Sequence, residues 1–193
     1  MSEKNIARPM PFGNPDPIVY KGMTVNQLTE AYDDYRAIPN FDALLTENRE
    51  RAQTVKTRLN PTLDIAYGSE PIQKLDIYAP KNLQKMPVII SIHGGGWTMG
   101  SKNPWAIPAE TLMSKGILSV SIDYGLAPRY RMKEIIAHVR YAIAWVYRNV
   151  NQYGGDINRL TFMGCLLGLI LQPLLLCQIG TKILIFQRML SKG

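Results

Sequence analysis

The stretch Val88-Ile89-Ile90-Ser91-Ile92-His93-Gly94-Gly95-Gly96-Trp97 constrains the fold of this chain more than any other. A short run of β-branched apolar residues bounded by a turn signal reads as a strand buried on both faces. Such a strand belongs inside a largely parallel sheet covered by helices. The three glycines end it. Without Cβ atoms they let the backbone turn sharply and bring N–H groups close to a ligand that carries negative charge.

The patterns on either side fit such a sheet. Thr24 with Gln27 is a capping box, and Val25, Leu28, Ala31, Tyr32 and Tyr35 recur at helical spacing as far as Pro39. A second helix is predicted over Phe41 to Leu59, with Leu45, Ala52, Val55 and Leu59 on one face and Asn60-Pro61 ending it. From Thr62 the period becomes two: Leu63, Ile65 and Tyr67, then Leu75, Ile77 and Ala79, predict two adjacent outer strands, antiparallel to each other. After the glycines come a helix around Ala109 to Lys115 closed by Gly116, a strand over Ile117 to Ile122, and the loop Asp123-Tyr124-Gly125-Leu126-Ala127-Pro128. A long helix follows, carrying Ile135, Ile136, Val139, Ala142, Ile143, Val146 and Val150, and then a short strand from Leu160 to Met163. Strand and helix alternate as right-handed crossovers require, so the fold class is α/β. Three regions are expected: an arm and helical lead-in over 1–61, an α/β core over 62–164, and an apolar tail over 165–193.

Charge and cysteine content bear mainly on what is excluded. Net charge is +7, from 22 basic and 15 acidic residues. Lys and Arg do not cluster with aromatics, so a nucleic-acid partner is not expected. Met1 to Asn5 is polar with no apolar segment behind it, which argues against a secretory signal and makes the cytoplasm the expected location. Cys165 and Cys177 have neither C-x-x-C spacing nor a nearby His. They are expected as small apolar residues, not as zinc ligands or a disulfide.

Three motifs in order carry a resemblance: His93-Gly94-Gly95-Gly96-Trp97 after a strand, Asp123-Tyr124-x-Leu126-Ala127-Pro128 after the next, and Gly154-Gly155-Asp156 before a short strand leading to Gly164. Over about residues 60 to 164 the chain resembles the α/β-hydrolase esterases and lipases of the hormone-sensitive-lipase and kynurenine-formamidase-like kind. The resemblance implies the first half of an α/β-hydrolase fold, a mostly parallel sheet with flanking helices, and a small acyl ester or amide substrate. It implies no metal or organic cofactor. It also implies an oxyanion hole at Gly94, Gly95 and Gly96, completed by the N–H of position 167, with His93 and Trp97 as framing residues. His93 precedes the hole and is not the general base; Trp97 is expected to pack beneath the turn. The other histidine, His138, is expected on the exposed flank of its helix.

The nucleophile elbow, G-x-S-x-G, should start at Gly164. The sequence there is Gly164-Cys165-Leu166-Leu167-Gly168, with Leu166 where the serine belongs. Cys165 stands one residue early, and the elbow presents the next side chain. After residue 164 there is no Asp, Glu or His, while nine leucines and four isoleucines occur. Residues 165–193 are therefore expected to be an out-of-frame or alternative end replacing the second half of an esterase, and the chain to be catalytically inactive. Two other functions are expected alternatives. One is a membrane-associated protein using the uncharged run over residues 162–181, which meets the length of a spanning helix although Pro173 interrupts it. The other is a non-enzymatic protein that still binds acyl ligands at the glycine turn.

Overall fold

The computed structural model describes residues 16–32 and 38–164. It divides into two compact units after Thr46. In the first, β1 (Ile18–Tyr20) and β2 (Met23–Thr24) pair antiparallel ahead of α1 (Val25–Ala31). The predicted capping box is present: Gln27 donates its N–H to Thr24 Oγ1 at 3.3 Å, and Thr24 donates its own to Gln27 Oε1 at 2.9 Å. The helix stops at Ala31, short of the predicted Pro39, and buries no residue. A short helix without an apolar contact face has little beyond its cap to prolong it. Tyr35 lies outside the described residues.

The C-terminal part of α2 (Phe41–Leu59) opens the second unit at its predicted bounds, with Ala52 and Val55 buried. Next come β3 (Thr62–Ala66), β4 (Lys74–Tyr78), β5 (Met86–Ile92), α3 (Ala106–Ser114), β6 (Leu118–Ile122), α4 (Met132–Asn149) and β7 (Gly155–Gly164). The strands form one mixed sheet in the order β3-β4-β6-β5-β7. β3 and β4 are antiparallel, as their spacing predicts, and β5 has a parallel neighbour on each side, with Ile90 level with Val120 and Phe162. Two elements start earlier than predicted: α3 at Ala106, after a single 3-10 turn over Asn103–Trp105, and β7 at Gly155.

One face of the sheet carries Leu75, Ile77, Val88, Ile90, Ile92, Leu118, Val120 and Ile122, and α4 covers it with Ile135, Val139, Ala142, Ile143 and Val146. Each of these larger side chains contributes roughly 1.5–3 kcal/mol by leaving water. On the other face Tyr78 packs with Ala52, Val55, Ala106 and Ala109 of α2 and α3.

One strand is more enclosed than its alternation indicates, and one sequence expectation is corrected. β4 lies between β3 and β6, so the polar side of its alternation is covered: Asp76 and Tyr78 are as buried as Leu75 and Ile77. His138, expected on a solvent-facing flank, is only 3% exposed, because the β3–β4 connection folds over that side of α4. Among the described residues no helix is long and apolar enough to cross a membrane. Cys165, Leu166, Leu167, Cys177 and nearly all of the uncharged run lie outside the described residues.

Candidate active site at the glycine turn

Ile92 and Ile122 are register partners at the ends of β5 and β6. The segments beginning at His93 and Asp123 therefore leave the sheet side by side, at the carboxyl end of its parallel strands, where open α/β sheets bind ligands. Motifs well separated in sequence become adjacent through this pairing alone.

The turn needs its glycines. Gly95 has φ +112°, and a Cβ there would stand 2.2 Å from Met99 O; Gly100 has φ +102°, and a Cβ would stand 2.5 Å from Gly94 O and 2.6 Å from His93 Nδ1. Thr98 and Met99 both donate their N–H groups to Gly95 O, at 3.1 and 3.0 Å. These turn-closing bonds make no use of the N–H groups of Gly94, Gly95 and Gly96. Gly94 and Gly95 are half-buried and Gly96 is exposed, so the turn is open to solvent on that side. Trp97, at φ +59°, packs against the hydrophobic core.

The second motif holds the first. Tyr124 stacks on His93 with ring centroids 4.1 Å apart and planes 7° from parallel, and its hydroxyl donates to His93 O at 2.6 Å. Ala127 donates its N–H to Trp97 O at 2.7 Å, and Lys102 donates its own to Asp123 Oδ1 at 2.7 Å. Both ends of the glycine turn are thereby tied to the loop after β6. Burial pushes the His93 imidazole below its usual range, against an opposing 2.8 Å contact with Gly94 O, and it pushes the Tyr124 phenol up.

Beneath the turn lies a charge cluster that the sequence reading missed. Asp76, fully buried, receives Lys56 Nζ at 3.1 Å, Lys102 Nζ at 3.0 Å and the N–H of Asp64 at 2.9 Å. Lys102 Nζ also reaches Asp64 at 2.8 Å and Asp123 at 3.9 Å, while Lys56 Nζ donates to Asn103 Oδ1 at 2.6 Å. Burial opposes the Lys102 ammonium, but Asp64 and Asp76 outweigh it and hold its pKa above the usual lysine range. The bond from Lys102 holds the Asp64 carboxyl below its ordinary range, whereas desolvation raises that of Asp123. Lys102 lies two residues past Gly100, so the cluster anchors the outgoing end of the turn. The one signal in the sequence was an Asp in a strand next to the sheet centre; which lysines meet it is a tertiary fact.

His138 secures the other side of the loop. Its Nδ1 accepts the N–H of Gly125 at 3.1 Å, and its Nε2 stands 3.6 Å from Glu70 Oε1. A neutral ring accepting at Nδ1 carries its proton on Nε2. The ring also lines a cleft of about 680 Å³ between the β3–β4 connection and α4; no glycine of the turn borders it.

The mixed sheet, its flanking helices and the glycine turn at the carboxyl end of β5 define an α/β-hydrolase fold. The BD-FAE family profile matches residues 75–174, and the chain belongs to that family. It is 37% identical over 110 residues to esterase LipC of Mycobacterium tuberculosis, covering 54% of this chain and 27% of LipC. It is 29% identical over 146 residues to kynurenine formamidase of Danio rerio, covering 70% and 49%. Among solved structures, esterase B from Lactobacillus rhamnosis superposes with a TM-score of 0.57 at 25% identity, covering 70% of this chain and 49% of that one. The chain thus spans between a quarter and a half of the length of these relatives.

Proposed function

We infer that this chain is an ester- or amide-hydrolase relative whose glycine turn binds the carbonyl oxygen of a small acyl compound without turning it over. The observation that carries the binding half is the braced turn, with the N–H groups of Gly94, Gly95 and Gly96 uninvolved in its closure. Donors fixed in advance of charge development are what an oxyanion hole requires, because no reorganisation is then needed as charge builds up. The esterase, methylesterase and formamidase names among the relatives support an acyl ester or amide as the ligand class.

The absence of turnover follows from Leu166 at the serine position, since a hydrocarbon side chain cannot attack a carbonyl. Removing the serine of a well-studied serine hydrolase lowers kcat by about 10⁶-fold. Hydrolysis of p-nitrophenyl butyrate, measured against buffer, tests the first point; enzymatic turnover would overturn it. Titration with butylphosphonate, whose anionic oxygen imitates the tetrahedral intermediate, tests the second. The Gly94 and Gly96 amide resonances are expected to move in the native chain and not in Gly95→Val; equal movement in both, or none, refutes carbonyl binding.

A further inference from the structure

We propose that His138 is a positioning residue for the glycine turn and that its protonation releases the turn. This rests on the reading of Gly94 to Gly96 as a carbonyl-binding turn. His138 acts through Gly125, the residue between Tyr124, which holds His93 O, and the segment to Ala127, which holds Trp97 O.

The geometry makes this brace conditional on charge. With Nδ1 accepting from Gly125 N–H at 3.1 Å, the ring must be neutral. A second proton can enter only at Nδ1, where it would face the amide hydrogen of Gly125, donor against donor. The bond to Gly125 is then lost. At the same time the charged ring gains a partner on its other side, the Glu70 carboxylate now 3.6 Å from Nε2. Protonation thus removes one contact and strengthens the opposing one, drawing the ring towards the β3–β4 connection and away from the loop after β6.

Other titratable and charged groups surround those two contacts, and Tyr130 shares the Glu70 carboxylate with the ring. Glu70 faces the ring from the β3–β4 connection, with Tyr67 at the near end of the same segment. Tyr130 packs edge-on at 5.1 Å from the loop before α4, and Arg129 lies over the Tyr130 ring. On α4 itself, Glu134 and Tyr141 stand one turn to either side, and Arg148 lies further along the same cleft. Glu134 is already engaged by the N–H of Arg131 at 2.8 Å.

The test is a pH titration of the full 193-residue chain by ¹H–¹⁵N spectroscopy, with the His138 ring followed through its Cε1 proton. The Gly125 amide is expected to shift with the midpoint of the His138 ring, and the Gly94 and Gly95 amides to shift with it. Asn places Oδ1 close to the position of imidazole Nδ1 and does not titrate. His138→Asn is therefore expected to hold all three resonances near their high-pH positions and to abolish the transition. His138→Ala is expected to hold them near their low-pH positions at every pH.

A Gly125 amide that stays flat across the His138 titration overturns the proposal, and so does an unchanged transition in His138→Asn, which would assign it to His93. If His138→Ala does not fold, the comparison of the native chain with His138→Asn decides. None of these readouts uses a ligand. A chain that shows the transition but binds no butylphosphonate keeps the brace and loses the carbonyl-binding reading; the reverse pattern does the opposite.

Discussion

Asp76→Asn tests whether the buried charge cluster carries stability. The carboxylate is fully buried and has three donors within 3.1 Å: Lys56 Nζ, Lys102 Nζ and the N–H of Asp64. Neutralising it leaves the Lys56 side chain, 10% exposed, with Asn103 as its only neighbour of this set, and leaves Lys102, 5% exposed, with Asp64 and a more distant Asp123. Breaking a buried pair by removing one partner costs about 3–5 kcal/mol, because the other charge stays desolvated. Asp64 still neutralises part of Lys102, so the lower end, about 3 kcal/mol, is expected. In a chain of this size that lowers Tm by roughly 6–12 °C. Urea unfolding followed by circular dichroism measures the loss, provided the slope with denaturant is unchanged. Lys56→Met is expected to cost less in the Asp76→Asn background than in the native chain, by about 0.5–3 kcal/mol. A loss below about 1 kcal/mol for Asp76→Asn, outside the range for a broken buried pair, or additive costs in the double variant, would refute the reasoning.

Gly95→Ala is expected to destabilise the chain by about 1–3 kcal/mol, since it places a Cβ 2.2 Å from a backbone oxygen at φ +112°; thermal unfolding reads this, and an unchanged Tm counts against the turn geometry. Tyr124→Phe leaves His93 O without its donor and is expected to cost about 1–3 kcal/mol by the same measurement. Stability is expected to fall as pH rises above about 10. Lys102, raised in the folded state, contributes below the unfolded lysine value and loses that contribution as pH climbs through its folded value, and the buried phenols of Tyr67, Tyr78 and Tyr124, also raised, favour the protonated fold. Absorbance at 295 nm should therefore show these three tyrosines ionising only as the chain unfolds. On the acid side, burial lowers the His93 value, so its contribution is present above the unfolded histidine range and is lost as pH falls below it; His93→Asn is expected to flatten that part of the profile.

Much of the fold was legible because its signals are local. The capping box at Thr24, the bounds of α2, the antiparallel β3–β4 pair and the buried strand before the glycines each depend on residues near one another in sequence. What was not legible has a common cause. Alternation puts Asp76 on the side of β4 opposite Leu75 and Ile77 but is silent on its burial, which follows because β6 pairs beyond β4 and helices cover that side. The pattern of α4 identifies its apolar stripe through Ile135, Val139 and Val146, but it cannot show that the β3–β4 connection roofs the next stripe and buries His138. Periodicity reports which residues share a face, not how many faces are covered.

The glycine turn shows where the division falls. By itself the sequence determined that residues 88–92 form an interior strand and that three glycines end it. Both follow from residue chemistry and short-range spacing. Only the tertiary structure decided that Tyr124 and Ala127 hold the carbonyls of His93 and Trp97, that Lys102 anchors the far end on Asp76, and that His138 reaches the loop through Gly125. Those contacts exist because parallel pairing of β5 with β6 ends both strands at one level, bringing together loops whose sequences carry no mark of the meeting.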